Sequence, residues 1–200
     1  MVTISFFAGE AFFAVLWLLA RVLVWRKQNG ISWKRETALF PMYVNLSVLI
    51  LFTFFLFDRI DGIIRPLTID PDMTYPVRMN LVPLKQLFWY EIRREMYINI
   101  IGNIVMFIPT GYLLAALFPK LNTFWKVAFA GAFISLCIEL IQLLVPARGS
   151  DIDDVILNTA GTMIGCFLFI LSHQSFRIKR LARKGEHSWQ GVLRLFQRTG

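Results

Sequence analysis

Five times along the chain an apolar run of about 20 residues carries no more than two charged side chains, and that is the length a helix needs to cross a hydrocarbon core of about 30 Å. The runs are 4–25, 38–57, 98–118, 124–145 and 152–172. In lipid a backbone satisfies its own N–H and C=O groups only as a helix or a closed barrel. With 56% hydrophobic and 17% charged residues over 200 positions, the composition suits a bundle of spans better than a soluble domain. The expected fold is an all-α integral membrane protein with about five transmembrane helices. The first run lacks the basic leader and small-residue cleavage site of a signal peptide, so it is read as retained. Trp25, Trp89 and Trp125 lie at or near run ends, as an aromatic belt asks, and Trp17 sits deeper.

Charge asymmetry orients the bundle. The connection 26–37 holds Arg26, Lys27, Lys34 and Arg35 against Glu36, and the tail 173–200 holds seven Lys and Arg against Glu186. Both are expected in the cytoplasm. The connection 58–97 balances six acids against six bases and suits the outside. Five spans then place the N-terminus outside and the C-terminus in the cytoplasm. The net charge of +8 becomes a topology signal, and no nucleic-acid partner is expected. Trp189, Val192, Leu193 and Phe196 interleave with the tail's cations, so the tail could also lie on anionic lipid.

The connection 58–97 carries Pro66, Pro71, Pro76 and Pro83, which oppose a long helix up to that point. Beyond them Leu84, Phe88, Ile92 and Met96 fall four apart, predicting a short interfacial helix that leads into the third span. Cys137 and Cys166 lie at different depths of their spans, which argues against a disulfide. No Cys/His grouping has zinc-ligand spacing.

The chemistry gathers on three spans. Asn99, Gly102, Asn103, Met106 and Thr110 share one helical face of the third, and Gly131, Ser135, Glu139 and Gln142 one face of the fourth. Asp151, Asp154, Asn158, Gly161, Thr162 and Gly165 recur at steps of three and four along the fifth. Asp153 is expected to point away, toward the headgroups. At 1.5 Å per residue Glu139 lies roughly 10 Å below the outer end of its span, with Asn103, Asn158 and Glu10 at similar depth. Arg148, in the short outer loop, can reach down to the acids. Interhelical hydrogen bonding accounts for the amides at about 1 kcal/mol or less each. It accounts poorly for Glu139, since a carboxylate at that depth costs roughly 2.5–3.5 kcal/mol or more. An outward-facing polar pocket is the expectation, with Glu139 in reach of an asparagine of the third span or of Asn158, directly or through water.

The segments "NLVPL" (80–84), "NIIGNIVMFIPTGYLL" (99–114) and "ELIQLLVPARGSDIDDVILNTAGTMIG" (139–165) resemble the motifs of the VanZ-like family, named after a membrane protein linked to teicoplanin resistance in bacteria. The matching positions are Asn99, Asn103, Phe107, Pro109 and Gly111, then Glu139 and Gln142, then Arg148, Asp151, Asp154, Asn158 and Gly161. They fall within about 80–172, and Leu84 stands where an aromatic is usual. The resemblance divides the chain into two accessory spans (1–57), an external loop with a short interfacial helix (58–97), a VanZ-like three-helix core (98–172) and a basic cytoplasmic tail (173–200). It implies a multi-pass protein of the bacterial cytoplasmic membrane that contributes to glycopeptide resistance of the teicoplanin type, and it supplies no reaction.

Two roles stay open. In one, Asn99, Asn103, Gln142, Arg148, Asp151 and Asn158 bind a lipid-linked or peptide ligand of the envelope. In the other, an intramembrane enzyme works on a lipid-linked substrate with Glu139 and Asp154 as catalytic groups, Glu139 as acid or base. A cation bridged by Asp151 and Asp154 is a variant suited to Mg²⁺ or Ca²⁺. No cofactor, metal or oligomeric state is specified, and transport ranks last because no repeat is evident.

Overall fold

Short polar residues open the helices. Ser5 Oγ accepts the Ala8 N–H at 3.3 Å and Thr123 Oγ1 accepts that of Lys126 at 3.4 Å. These caps satisfy donors that the first turn leaves without an intrahelical partner. They start α1 (Phe6–Lys27) and α4 (Phe124–Gln142). At the far end of α1, Arg26 and Lys27 face the negative end of the helix dipole. Asn29 takes φ 53 and Gly30 N–H returns to Trp25 O at 3.1 Å, which turns the chain into α2 (Trp33–Phe54). The remaining long helices are α3 (Arg93–Leu117) and α5 (Ile152–His173). The structure is a computed structural model that describes residues 2–57, 64–70, 79–83, 93–121, 123–146 and 148–173.

All five expected spans are present as helices long and apolar enough to cross a membrane. Four bounds differ from expectation by three residues or more; among them the second span ends at Phe54, not 57, and the third helix starts at Arg93, not 98. The second span starts at Trp33, not 38, because hydropathy misses a polar first turn holding Lys34, Arg35 and Glu36. The fourth stops at Gln142, not 145, where Leu144 and Val145 N–H groups turn back to Ile141 and Gln142 carbonyls. The stripe expected over 84–96 lies largely outside the described residues, as does the tail beyond 173.

Strands appear that periodicity did not foretell. β1 (Val2–Ile4) pairs antiparallel with β4 (Leu67–Ile69), β2 (Leu56–Phe57) pairs antiparallel with β3 (Ile64–Arg65), and β5 (Met79–Asn80) pairs parallel with β6 (Ser150–Asp151). All three ladders sit at one end of the bundle, here termed the loop end.

Side-chain pairs give the helix directions. Glu10 accepts from Ser47 Oγ at 2.8 Å, and Arg21 donates to both carboxylate oxygens of Glu36 at 2.6 and 2.9 Å, so α1 and α2 run antiparallel. Trp25 Nε1 adds a third bond to Glu36 at 2.9 Å. Asn158 against Ser135 and Thr162 against Gly131 set α5 antiparallel to α4. Between α3 and α5 the contact is backbone to backbone, and parallel. A Cβ on Gly161 would strike the Ile104 carbonyl, one on Gly165 the Ile108 carbonyl, and one on Gly111 the Thr162 carbonyl. Glycine permits this approach because it has no side chain to hold the helices apart.

The bundle divides along its length. Leu39, Met42, Leu114, Leu117, Val127 and Cys166 form an apolar core in the half away from the loop end. Polar groups fill the other half. Phe7, Leu23, Trp125 and Phe129 are among many large apolar side chains left exposed, a surface that a bilayer covers and water does not. α1 has no buried residue. It leans on α2 through Phe13 and Trp17 against Tyr43, with ring centroids 5.4 and 5.6 Å apart.

Candidate functional site

A cavity of about 600 Å³ opens in the loop half between α2, α3, α4 and α5. Its walls follow from the polar faces of the helices. α3 supplies Asn99, Gly102 and Asn103, α4 supplies Glu139 and Gln142, and α5 supplies Asp154 and Asn158. Arg148 enters from the α4–α5 connection, and Phe52 and Thr53 close the side nearest α2. Seven of the eight expected site residues thus meet on one cavity. Asp151 does not line it.

Asp151 is the last residue of β6 and caps α5. Its Oδ1 accepts the Asp153 N–H at 3.0 Å and the Asn80 Nδ2–H at 3.0 Å. A spacing of three from Asp154 looked like a shared helical face, but Asp151 is extended and precedes the helix. Its backbone N–H donates to Glu139 Oε2 at 2.8 Å. Glu139, 3% exposed, therefore finds its direct donor in a strand and shares a cavity with the asparagines it was expected to meet. Asp153 also departs from expectation. It is 3% exposed rather than turned to headgroups, and stands in the first turn of α5, where a helix N-terminus favours negative charge. Glu10, matched in depth, bonds to Ser47 and is absent from the cavity wall, because α1 packs on α2 outside the bundle.

Asp154 is held by amides. Asn103 Nδ2 donates to its Oδ1 and also to Asn99 Oδ1 at 3.3 Å, and Asn99 bonds the same carboxylate. Deeper in, Asn158 Nδ2 donates to Ser135 Oγ at 2.9 Å. On the opposite wall the last turn of α2 leaves carbonyls without helical donors, as helix ends do. Gln142 Nε2 donates to Thr53 O and Arg148 Nη2 to Phe52 O, both at 3.2 Å. A cation at a helix C-terminus also meets the negative end of the dipole. Burial draws the Arg148 pKa below its ordinary value, and the Asp154 and Glu139 carboxylates oppose that drop. Among the described residues Arg148 forms no ion pair within 4.0 Å.

Three buried polar atoms on these walls have no hydrogen-bond partner among the described residues: Gln142 Oε1, Asn158 Oδ1 and Arg148 Nε. Each such atom costs about 1–3 kcal/mol while it stays unpartnered. Among the described residues no three His, Cys, Asp or Glu side chains group as metal ligands. Asp151 Oδ1, one of the oxygens a bridged cation would draw on, takes the Asn80 and Asp153 donors.

Reasoning from the sequence did not assign Asn80 to the site, although it begins the "NLVPL" segment. Nothing marked the Phe52 and Thr53 carbonyls, since every residue carries one.

A family profile described as VanZ/LLP1 matches residues 12–173. That range takes in α2 and most of α1, which the motifs within 80–172 leave out. Protein VanZ of Enterococcus faecium is 38% identical over 85 residues, 42% of this chain. The chain spans about half the length of that relative, 52%. No solved structure matches.

Proposed function

The chain belongs to the VanZ/LLP1 family, and from that premise we propose that it is a multi-pass protein of the bacterial cytoplasmic membrane whose cavity opens to the outer face, binds an envelope ligand and contributes to protection against teicoplanin-type glycopeptides. The observation that carries the binding role is the set of three unpartnered polar atoms on residues lining one cavity. Orientation is supported by the cations at the end opposite the cavity, where Arg26, Lys27, Lys34, Arg35 and Lys120 lie.

Orientation has a direct test. With Cys137 and Cys166 replaced by alanine, a cysteine at Gly149, an exposed loop-end position, is expected to react with a membrane-impermeant maleimide in intact cells. A cysteine at Gly30, exposed at the other end, is expected to react only after lysis. The opposite pattern reverses the topology. Asp70, in the separate connection 58–97, is a poor probe because it is buried.

Function is tested through charge. Asn in place of Asp154 keeps the shape and can still accept from Asn103. Gln in place of Arg148 can still donate to the Phe52 carbonyl. Both lose their charge. Each variant is expected to lose protection in a glycopeptide susceptibility assay at wild-type membrane abundance. If both protect as well as wild type, the charged wall is structural. If wild type itself gives no protection, the glycopeptide role falls.

A second reading keeps the cavity but makes it an enzyme on a lipid-linked substrate. The presence of Glu139 and Asp154 in one cavity favours it, since acid–base work needs a group to give a proton and one to take it. Turnover of a labelled envelope lipid by purified protein, lost in Glu139→Gln, is its test.

A further inference from the structure

The unpartnered atoms of the cavity differ in kind and in position. Gln142 and Asn158 are 6% and 4% exposed, and each spends its amide N–H on the protein: Gln142 on the Thr53 carbonyl, Asn158 on Ser135. The Gln142 assignment is forced, because a carbonyl only accepts. What each leaves unpartnered is a buried amide oxygen, on a cavity-lining residue as Asp154 and Glu139 also are. This deep wall accepts hydrogen bonds and is negative. It suits a cationic group rich in N–H donors.

Arg148 is the opposite. Its Nη2 is anchored on Phe52 O, and its Nε–H is buried with no acceptor among the described residues. Phe52 and Ile98 are 54% and 39% exposed and also line the cavity, so one space carries exposed apolar side chains, a cation, and acceptors with carboxylates. A guanidinium with a spare N–H suits a phosphate oxygen.

We propose that the cavity binds the headgroup of an aminophospholipid, entering sideways from the bilayer between α2 and α3. The acyl chains stay outside against Phe52 and Ile98, the phosphate meets Arg148 Nε–H, and the primary ammonium reaches the Gln142 and Asn158 oxygens and the two carboxylates. Such a lipid carries a counterpart for each: chains for the apolar side chains, a phosphate for the guanidinium and an amine for the acceptors. The inference rests on reading the cavity as a ligand site and names the ligand's class.

The test uses the full chain purified in detergent, with binding read by native mass spectrometry. The probes are short-chain phosphatidylethanolamine, phosphatidylcholine and phosphatidylglycerol, and deacylated glycerophosphoethanolamine. Choline keeps the positive charge but has no N–H, so the ethanolamine lipid is expected to bind about tenfold more tightly than the choline lipid. The glycerol lipid, with no cation, should be weaker still. Asp154→Asn should erase most of the ethanolamine-over-choline preference, and Arg148→Gln should weaken all phosphate-bearing probes. The preference is a ratio within one preparation, so a partly unfolded variant does not distort it.

Equal binding of the three lipids by wild type marks ordinary lipid at the protein surface and overturns the proposal. So does an unchanged preference in Asp154→Asn. Equally tight binding of the deacylated headgroup makes the ligand a soluble aminophosphate and overturns lateral entry. If no probe binds yet Asp154→Asn still removes protection, only the headgroup class fails. If the preference appears as expected but the variants protect like wild type, the headgroup assignment stands and the protective role fails.

Discussion

Leucine in place of Gly165 is expected to leave almost no folded protein in the membrane. The hydrogen of Gly165 faces the Ile108 carbonyl, and a Cβ there would also press on the Tyr112 amide nitrogen at 2.8 Å. Both atoms belong to the α3 backbone, so no rotamer change relieves the clash. The helices must move apart, which separates Gly161 from Ile104 and Gly111 from Thr162 as well. Overpacking costs about 1–3 kcal/mol where side chains can adjust, and here they cannot, so about 3 kcal/mol or more is expected. Size-exclusion profiles of a fluorescent fusion, at matched expression, measure it. A monodisperse peak of wild-type height would show that α3 and α5 do not meet as described.

The same substitution at Gly102 is expected to do the reverse. Gly102 also lies on α3, yet a Cβ built there meets nothing within 4 Å, because it faces the cavity between Asn99 and Asn103. A leucine side chain fits without moving a helix and puts a hydrocarbon among polar walls. Folding and abundance should match wild type, while headgroup binding falls by about tenfold or more and protection is lost. If Gly102→Leu binds and protects like wild type, the cavity is not where function resides. If it fails to accumulate, the space at Gly102 is smaller than described. One residue change at two glycines of neighbouring helices thus separates scaffold from site.

Much of this was legible from the order of residues. The spans follow from run length, and the cavity's α3, α4 and α5 walls from steps of three and four at matched depth. Lipid cannot satisfy Asn103, Glu139 or Asn158, so their helices turn them inward. What stayed hidden has physical reasons too. The α2 wall acts through the Phe52 and Thr53 carbonyls, which no side chain announces. Asp151 sits at a helical interval from Asp154, and an N-cap one residue before a helix keeps that interval without joining the face. Ladders of two or three residues, such as Asn80 beside Asp151, are too short to show a period. Glu10 shares the depth of the cluster but belongs to a helix that packs on its outside.

The lengthwise division of the bundle bears on how such a protein can vary. Leu39, Met42, Leu114, Val127 and Cys166 pack the half away from the loops, while the loop half keeps its unpaired polar atoms. Foundation and workshop occupy different floors. Mutations that recut the cavity walls draw on stability stored in the other half, so the walls can change while the lower packing stays as it is. Drift in the apolar half has no such freedom, because every kilocalorie lost there is also lost to the polar floor above it.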